Sequence, residues 1–362
     1  MNQSENTPYY SYSLKKIEEN FHAFQSAIPG VMVRYAVKSN PMKEVIETLS
    51  KQGSGFEIAS KTELALLLAR DVDPSQIFFS NPVKNPLDIE YAHKKGVKVF
   101  AYDSPEEIDK LAQYAPGCQV ILRLRVYERG SVFSLKDKFG AEERQAATLA
   151  KQAQAAGLVF YGLSFHVGSQ SLKLNTWKYA LEKIVRVQVQ LRERGIEVMA
   201  LNLGGGFPYV YRGMKAPTIQ QIASVIKPYL KKLGIPNIYA EPGRYLVANA
   251  ATLTTSIIHR TVRRGDTWLY LDAGTYNALF EAMDFQGNIQ YGVSAADPTS
   301  TKKQKYILAG PTCDSIDTIT EDARLPDNLK IGDRLVFEDV GAYTNALANS
   351  FNGFKQPKVL LD

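Results

Sequence analysis

The sequence predicts an α/β protein in which a (β/α)8 barrel is followed by a β-rich C-terminal domain. Two patterns lead to this prediction. Before about residue 250, short apolar runs alternate with helical patterns eight times, as a (β/α)8 barrel requires. Beyond that point, strand-like runs follow one another with turn residues between them. We place the barrel at residues 12–250 and the β-rich domain at residues 251–362, together with residues 1–11.

The alternation opens with a helix that leads into the first barrel strand. Leu14, Ile17, Phe21 and Phe24 recur at helical spacing. Eight apolar runs then predict the strands: VMVRYAVKSN, GFEIAS, IFFSNP, KVFAYDS, VILRLRV, VFYGLSFHVGS, VMALNLGGGFP and IYAEPGRYLV. A doubly wound open sheet is the alternative fold. Eight successive units, and no Gly-x-Gly-x-x-Gly motif after the first strand, favour the barrel.

The pattern of apolar and turn residues changes after residue 250. The runs ATLTTSIIHRTV, TWLYLDAG, KYILAGPTCD, GDRLVFEDVGAYT and PKVLL are strand-like and show little helical periodicity. Turn residues separate them, which indicates a β-rich second domain. No low-complexity linker precedes this part, so the sequence predicts two closely associated domains.

Composition excludes several classes of protein. The 362 residues include 45% hydrophobic and 22% charged residues, which is ordinary for a globular protein. The formal charge of +6 is dispersed and forms no basic stripe, so nucleic-acid binding is not expected. The cysteines Cys118 and Cys313 are too few for a disulfide framework and fit a reducing cytosol. No signal-peptide core or membrane-spanning run is present, so we expect a soluble cytoplasmic protein.

Lys38 ends the first predicted strand and is the residue around which we interpret the chain. Lysine is rarely fully buried, so its position at the end of an apolar strand calls for a partner or a function. On this stretch alone, a lysine held by a carboxylate at the barrel mouth is the simpler interpretation. The alternative is a desolvated amine that forms a Schiff base.

Glycines and basic side chains at the ends of the last two strands suggest an anion site. Gly204, Gly205 and Gly206 let the backbone approach an anion closely, although a plain tight turn explains them equally well. Gly243 and Arg244 follow the next strand. Loops after the seventh and eighth strands often hold a phosphate in this architecture, so the two features together favour phosphate binding.

Two further strand ends carry groups suited to a heteroaromatic cofactor. His166 ends the sixth strand and Ser169 follows it. A lone histidine is more often structural, but its ring can also stack on a flat cofactor. Glu241 is either an ion-pair partner or a group that holds a protonated ring nitrogen. We expect no metal site, because no second histidine or cysteine lies at ligand spacing.

The motif GPTCDSID in the β-rich part presents Cys313 and Asp314 side by side after a Gly-Pro turn. A free cysteine in such a turn can be reactive, whereas an inert buried cysteine is the commoner case.

Taken together, these motifs resemble the fold-type III pyridoxal-phosphate decarboxylases, in the ornithine/lysine decarboxylase branch. The matching motifs are YAVKSN, FEIASKTEL, KFGA, HVGSQ, GGGFP, EPGRYLVA, GPTCDSID and GAYTNALANSFNGF. They run from Tyr35 to Phe354 and are jointly very specific. The resemblance implies a TIM-like barrel plus a β domain, as in alanine racemase and ornithine decarboxylase. It also implies a homodimer whose active sites are shared across the interface.

The resemblance implies a role for each matching residue. Lys38 would bind pyridoxal 5'-phosphate covalently, His166 would stack on its ring, and Glu241 would pair with the pyridine nitrogen. Cys313, from the partner subunit, would protonate the α-carbon after carbon dioxide leaves. The remaining cofactor-binding positions, most of them around the phosphate, are Glu57, Arg123, Ser169, Gly204, Gly205, Gly206, Gly243, Arg244 and Tyr343.

The substrate pocket is implied by four positions: Asp314, Glu281, Tyr276 and Phe351. Asp314 would bind the distal amine of the substrate. Two departures from the family pattern concern acidic residues. Glu57 stands where ornithine decarboxylases usually carry aspartate, and Glu281 matches the second acidic pocket residue only if the alignment of LDAGTYNALFEAMD contains a gap.

The resulting expectation is a pyridoxal-phosphate-dependent carboxy-lyase that decarboxylates a basic L-amino acid, ornithine or lysine, to a diamine such as putrescine in polyamine biosynthesis. One alternative is a decarboxylase of the same fold that acts on diaminopimelate, carboxynorspermidine, 2,4-diaminobutyrate or a siderophore intermediate. Another is a catalytically inactive regulatory homologue. Because Lys38 and Cys313 are both present, the inactive homologue is the weakest of the three.

Overall fold

A computed structural model describes residues 6–127, 130–133, 138–283 and 289–362. The chain divides into two compact units. One unit comprises Glu18–Tyr209 and Ala216–Tyr245, and the other comprises the chain up to Ile17, Val210–Lys215 and Leu246–Asp362. The domain boundaries expected from the sequence, residues 12–250 and 251–362 with residues 1–11, stay a proposal.

Helices and strands alternate through the first unit, and strands dominate the second. The helices are α1 (Leu14–Ala27), α2 (Lys43–Lys51), α3 (Lys61–Leu68), α4 (Pro86–Lys94), α5 (Pro105–Tyr114), α6 (Ala146–Ala155), α7 (Leu174–Arg192), α8 (Ile219–Leu233) and α9 (Arg244–Val247). The strands are β1 (Tyr9–Tyr12), β2 (Val31–Ala36), β3 (Gly55–Ile58), β4 (Ile77–Phe79), β5 (Val99–Tyr102), β6 (Gln119–Arg123), β7 (Ser131–Phe133), β8 (Val159–Ser164), β9 (Ser169–Ser171), β10 (Ala200–Asn202), β11 (Asn237–Ala240), β12 (Ala251–Arg263), β13 (Asp266–Leu271), β14 (Val293–Ala295), β15 (Lys303–Ala309), β16 (Thr318–Pro326), β17 (Arg334–Phe337) and β18 (Lys358–Leu361). Within the described ranges, none of the helices has the length and apolar character needed to cross a lipid bilayer.

The first unit is a closed parallel barrel with the strand order β2-β3-β4-β5-β6-β8-β10-β11, and β11 pairs back to β2. Each of the eight apolar runs supplies one of these strands, so the predicted (β/α)8 barrel is confirmed. Two strands outside the barrel, β7 and β9, form a separate antiparallel ribbon. Ser169 therefore begins a ribbon strand, although we expected it at the end of a barrel strand.

Local sequence explains why strands turn sharply into helices at the functional end of the barrel. The side chains of Ser60 and Ser104 cap α3 and α5 by accepting bonds from backbone N–H groups in the first turn. Proline occupies the first position of α4 and α5, where a missing N–H costs nothing. Aromatic and aliphatic side chains fill the barrel interior, namely Phe78, Val99, Ile121, Ala200 and Tyr239. The strand ends are thereby held on a packed scaffold.

The second unit is a β sheet with the order β14-β17-β12-β13-β15-β16. Strand β1 joins it by pairing antiparallel with β12 and parallel with β18. The predicted β-rich character is confirmed. Strands β14 and β16 were not predicted, because β14 has only three residues and β16, TITEDARLP, contains charged and polar residues.

Candidate active site

Lys38 lies on a short helical turn at the mouth of the barrel. Strand β2 ends at Ala36, and the 3-10 turn that follows raises Lys38 out of the apolar wall. The turn is held by Ser39, whose Oγ lies 2.8 Å from the carbonyl oxygen of Ala36. Lys38 Nζ donates to Glu57 Oε2 over 2.5 Å, and 45% of the lysine side chain is exposed while Glu57 is 3% exposed. An accessible amine thus rests on a buried carboxylate.

Glu241 is buried in the first unit and accepts hydrogen bonds from one hydroxyl donor and one amide donor. Its Oε1 accepts from Ser80 Oγ over 2.5 Å and from Asn202 Nδ2 over 2.6 Å. Burial, followed by the negative charge of Glu57, raises the pKa of Glu241 to about 7. The carboxylate therefore changes charge near neutral pH and has a high affinity for a nearby proton or cation.

His166 follows β8 and is kept neutral by its surroundings. Its Nδ1 accepts a hydrogen bond from the backbone N–H of Gly168 over 3.0 Å, which leaves the ring proton on Nε2. Desolvation lowers the pKa of His166 well below its usual value, and the positive charges of Arg123 and Lys38 lower it further. A neutral imidazole can stack on a cationic ring without repelling it.

The glycine run after β10 packs tightly against the loop that carries His166. Gly204 and Gly206 adopt φ values of +65° and +96°, which side chains rarely adopt. A Cβ atom on Gly205 would lie 2.9 Å from His166 Nε2. The run is also fixed to the rest of the site, because Gly204 N donates to Asn202 Oδ1 over 2.9 Å. Glycine is therefore required by both conformation and space.

Arg244 lies beside Ser169 and is buried, with 4% exposure. Its Nη2 lies 3.5 Å from Ser169 Oγ. Just before it, Gly243 leaves room for Ser39, since a Cβ atom there would lie 2.9 Å from Ser39 Oγ. Arg123 ends β6 with its guanidinium 5.1 Å from the centre of the Phe139 ring. The positively charged and hydroxyl side chains at these strand ends are therefore suited to bind an anionic ligand.

Four predicted residues of the second unit form one cluster. Cys313 is exposed, and its neighbour Asp314 accepts a hydrogen bond from the Tyr276 hydroxyl over 2.6 Å. This bond, followed by the one from the Ile316 backbone N–H, lowers the pKa of Asp314. The Tyr276 ring packs on Phe351 with centroids 4.5 Å apart. A fixed carboxylate thus lies beside a thiol and an aromatic pair.

Two other predicted residues, Tyr343 and Glu281, also belong to the second unit. Tyr343 is half-buried and has a φ of +56°, a strained value for tyrosine. Glu281 is buried in the 3-10 turn Phe280–Met283. The end of LDAGTYNALFEAMD falls on residues outside the described ranges, so the alignment gap is not resolved there. Among the described residues, no group of three or more His, Cys, Asp or Glu side chains is arranged to bind a metal ion.

Comparison with known proteins establishes the family. Residues 14–248 match the pyridoxal binding domain of the pyridoxal-dependent decarboxylases. The chain belongs to this decarboxylase family. It is 35% identical to the lysine/ornithine decarboxylase of Selenomonas ruminantium over 349 residues, covering 96% of this chain and 88% of the relative.

Two solved structures resemble this decarboxylase over nearly its whole length. The crystal structure of SrLDC with PLP and cadaverine matches with a TM-score of 0.91 and 34% identity, over 99% of this chain and 91% of that one. The lysine/ornithine decarboxylase of Vibrio vulnificus with cadaverine matches with a TM-score of 0.91 and 31% identity, over 99% and 96% of the two chains.

The residues of the decarboxylase barrel fit pyridoxal 5'-phosphate. The cofactor presents an aldehyde, a basic pyridine nitrogen and a phosphate dianion. Lys38 has an exposed amine that would suit the aldehyde, and Glu241 has a buried carboxylate that would suit the nitrogen. Neutral His166 suits the ring, while Arg244 and Ser169 lie together as phosphate ligands would. The donor set therefore matches the cofactor group by group.

Sequence reasoning missed two residues that hold Glu241 in the decarboxylase. Ser80 follows β4 directly, and Asn202 is the last residue of β10. Asn202 is the more informative of the two, because its side chain links two parts of the site. Its Nδ2 donates to Glu241, and its Oδ1 accepts from the backbone N–H of Gly204. Polar residues at adjacent strand ends were the available signal, but only the folded barrel shows which carboxylate they contact.

A Glu241→Gln variant of the cofactor-free decarboxylase is expected to have a different pH dependence of stability. Because the folded-state pKa of about 7 exceeds the ordinary value of 4.5, the folded wild type binds more protons than the unfolded chain between these values. Its stability therefore falls as the pH rises through this window. Glutamine retains an acceptor for Ser80 and Asn202 but does not titrate. From pH 5 to pH 8 the variant should gain on the order of 2 kcal/mol relative to wild type. Urea unfolding of both proteins at pH 5 and pH 8 measures this difference. The same change in unfolding free energy in variant and wild type would contradict the prediction.

Proposed function

We propose that this chain is a pyridoxal-phosphate-dependent decarboxylase that converts a basic L-amino acid, ornithine or lysine, to the diamine putrescine or cadaverine. The observation that carries the choice of substrate is the Asp314 carboxylate, fixed by Tyr276 beside the exposed thiol of Cys313. A carboxylate in that position suits the distal ammonium of a diamino acid. The cadaverine in the SrLDC and Vibrio structures supports the same class of substrate.

The barrel residues have distinct tasks in this reaction. When bound, pyridoxal phosphate withdraws the electron pair left by the departing carboxylate. The amine of Lys38 would hold the cofactor through its aldehyde, and it is exposed enough for the amine of a substrate to reach the same position. Glu241 would hold a proton on the pyridine nitrogen, and its pKa, raised chiefly by burial, makes this carboxylate a suitable partner for that proton. His166, whose pKa is lowered well below its usual value by burial, would cover one face of the ring as a neutral imidazole.

The proton that replaces the carboxylate is proposed to come from Cys313. Carbon dioxide leaves the α-carbon, and the thiol S–H delivers its proton to that carbon. We further propose a homodimer in which Cys313, Asp314 and Phe351 of one subunit serve the Lys38 of the other, as the family resemblance implies. Both cysteines are free thiols, which suits the cytoplasm that we propose as the location.

Carbon dioxide release from a panel of amino acids tests the proposed substrate class. The panel contains ornithine, lysine, diaminopimelate, arginine and 2,4-diaminobutyrate. We expect the highest kcat/KM for ornithine or lysine with the cofactor-supplied protein. A clear preference for diaminopimelate or 2,4-diaminobutyrate would favour the alternative decarboxylase. Absence of release from every substrate, with the cofactor bound, would favour the inactive homologue.

An Asp314→Asn variant should lose recognition of the distal amine while keeping its local contacts. Asparagine has nearly the same volume and still accepts a bond from the Tyr276 hydroxyl, but it lacks the negative charge. Loss of a charged hydrogen bond to the substrate should reduce kcat/KM for ornithine or lysine on the order of 100-fold. The uncharged analogue norvaline serves as the control substrate and should be affected much less. An equal loss for both substrates would show that Asp314 does not bind the distal amine.

A further inference from the structure

The turn Phe351–Gly353 contains a residue that contacts the thiol of Cys313. Asn352 lies in this turn with φ +53°, in the left-handed region that asparagine tolerates better than most residues. Its Oδ1 accepts a hydrogen bond from the Cys313 backbone N–H over 3.2 Å. The same oxygen lies 3.4 Å from Cys313 Sγ, within the range of an S–H donor. One side chain thus holds both the backbone and the sulfur of Cys313.

The chemistry of this contact depends on the protonation state of the thiol. An amide oxygen accepts from S–H, whereas it has no donor to offer to a thiolate and repels its charge. A hydrogen bond of this kind therefore favours the protonated sulfur and fixes its direction. A proton donor to carbon needs both properties, because the proton must be present and must lie in line with its acceptor.

The turn is well placed to act as a fixed support. The Phe351 ring packs on Tyr276, and the backbone N–H of Asn349 donates to the Tyr276 carbonyl oxygen over 2.9 Å. Since the Tyr276 hydroxyl binds Asp314, the same segment supports the thiol and the neighbouring carboxylate. The left-handed backbone of Asn352 is retained despite its conformational cost, as expected for a residue constrained by its neighbours.

We infer that Asn352 is a positioning residue for the proposed acid, and that its amide oxygen fixes the direction of the Cys313 S–H. This inference rests on the proposed function for its effect on turnover. The hydrogen bond itself is independent of that function, and a chemical probe of the sulfur tests it directly.

The two cysteines of the chain make the probe specific. Cys118 is buried and Cys313 is exposed, so iodoacetamide should modify Cys313 first in the cofactor-loaded protein. The Asn352→Gly variant retains the left-handed backbone and removes the amide. We expect it to react on the order of fivefold faster at pH 7.5, as mass spectrometry of the modified peptide would show, because the sulfur is no longer held by a hydrogen bond to the amide oxygen. Its kcat should fall on the order of tenfold while its KM changes less.

Two further variants serve as controls. Asn352→Asp retains an oxygen acceptor for the thiol, so its alkylation should be no faster than that of wild type and its kcat should exceed that of Asn352→Gly. Gln356→Ala loses an exposed side chain that contacts the Ala348 carbonyl oxygen in the same segment. It should resemble wild type in both assays.

Equal alkylation rates for Asn352→Gly and wild type would overturn the hydrogen bond that we assign. Faster alkylation with an unchanged kcat would overturn the positioning role. The proposed role of Cys313 is tested separately from the role of Asn352. Unchanged product formation in Cys313→Ala would show that Cys313 is not the acid, whatever the alkylation rates are. Faster alkylation and lower kcat in Asn352→Gly, with recovery in Asn352→Asp, support the inference.

Discussion

A Lys38→Ala variant should lose the cofactor's visible absorbance and reduce product formation by a factor on the order of 1000 or more. Lys38 presents its amine at the barrel mouth, in contact with Glu57. If Lys38 holds the cofactor as proposed, pyridoxal phosphate would lose its covalent link in this variant and would be bound through ring and phosphate contacts alone. Absorbance spectra after gel filtration, together with carbon dioxide release, measure both effects.

Lys43 provides a matched control for Lys38. It begins α2 only five positions further along, and 62% of its side chain is exposed. Lys43→Ala should therefore keep the absorbance and the activity. If Lys38→Ala stayed coloured, reduction with borohydride and peptide mapping would identify the lysine that holds the cofactor, and the assignment of Lys38 would be wrong.

Mixing two inactive variants should restore activity if the active sites are shared between subunits. In a heterodimer of Lys38→Ala and Cys313→Ala chains, one site receives the intact lysine from one chain and the intact cysteine from the other. Random exchange makes half of the dimers mixed, and half of their sites are intact, so activity should recover to about one quarter of wild type. Carbon dioxide release across a series of mixing ratios measures the recovery.

A double variant checks that recovery arises from complementary subunits. Lys38→Ala mixed with a chain that carries both substitutions cannot form an intact site, and it should stay inactive at every ratio. Activity in the single-variant mixture that never exceeds this background, after exchange of subunits has been verified with a mass tag, would refute shared sites.

The barrel was predictable because its strands are buried on both faces and its helices are amphipathic. Each apolar run ended in a polar residue at the strand end, so Lys38, His166 and Glu241 could be selected from the sequence. The ends of the strands were predicted less accurately. VMVRYAVKSN is one apolar run in the sequence, but the strand stops at Ala36 and a 3-10 turn carries Lys38. Local propensity does not distinguish the last residue of a strand from the first residue of such a turn.

Contacts between distant segments were beyond the reach of sequence patterns. Asn202 meets Glu241 because β10 pairs with β11, and Ser80 meets it because the barrel closes; their sequence separations from Glu241 are 39 and 161 residues. Asn352 similarly reaches Cys313 across 39 residues. Periodicity reports which face of an element is buried, but it does not report which polar groups meet across elements.

The place of β1 in the second unit has a consequence for synthesis on the ribosome. Tyr9–Tyr12 is translated before the barrel, yet its partner strands β12 and β18 are translated only after the whole barrel. The barrel segments can fold while this early strand still has exposed edges, and those edges are covered on the order of 10 s later at ordinary elongation rates. Slow translation of the segment from β12 to β18 would lengthen the period in which nascent chains can pair wrongly through these edges.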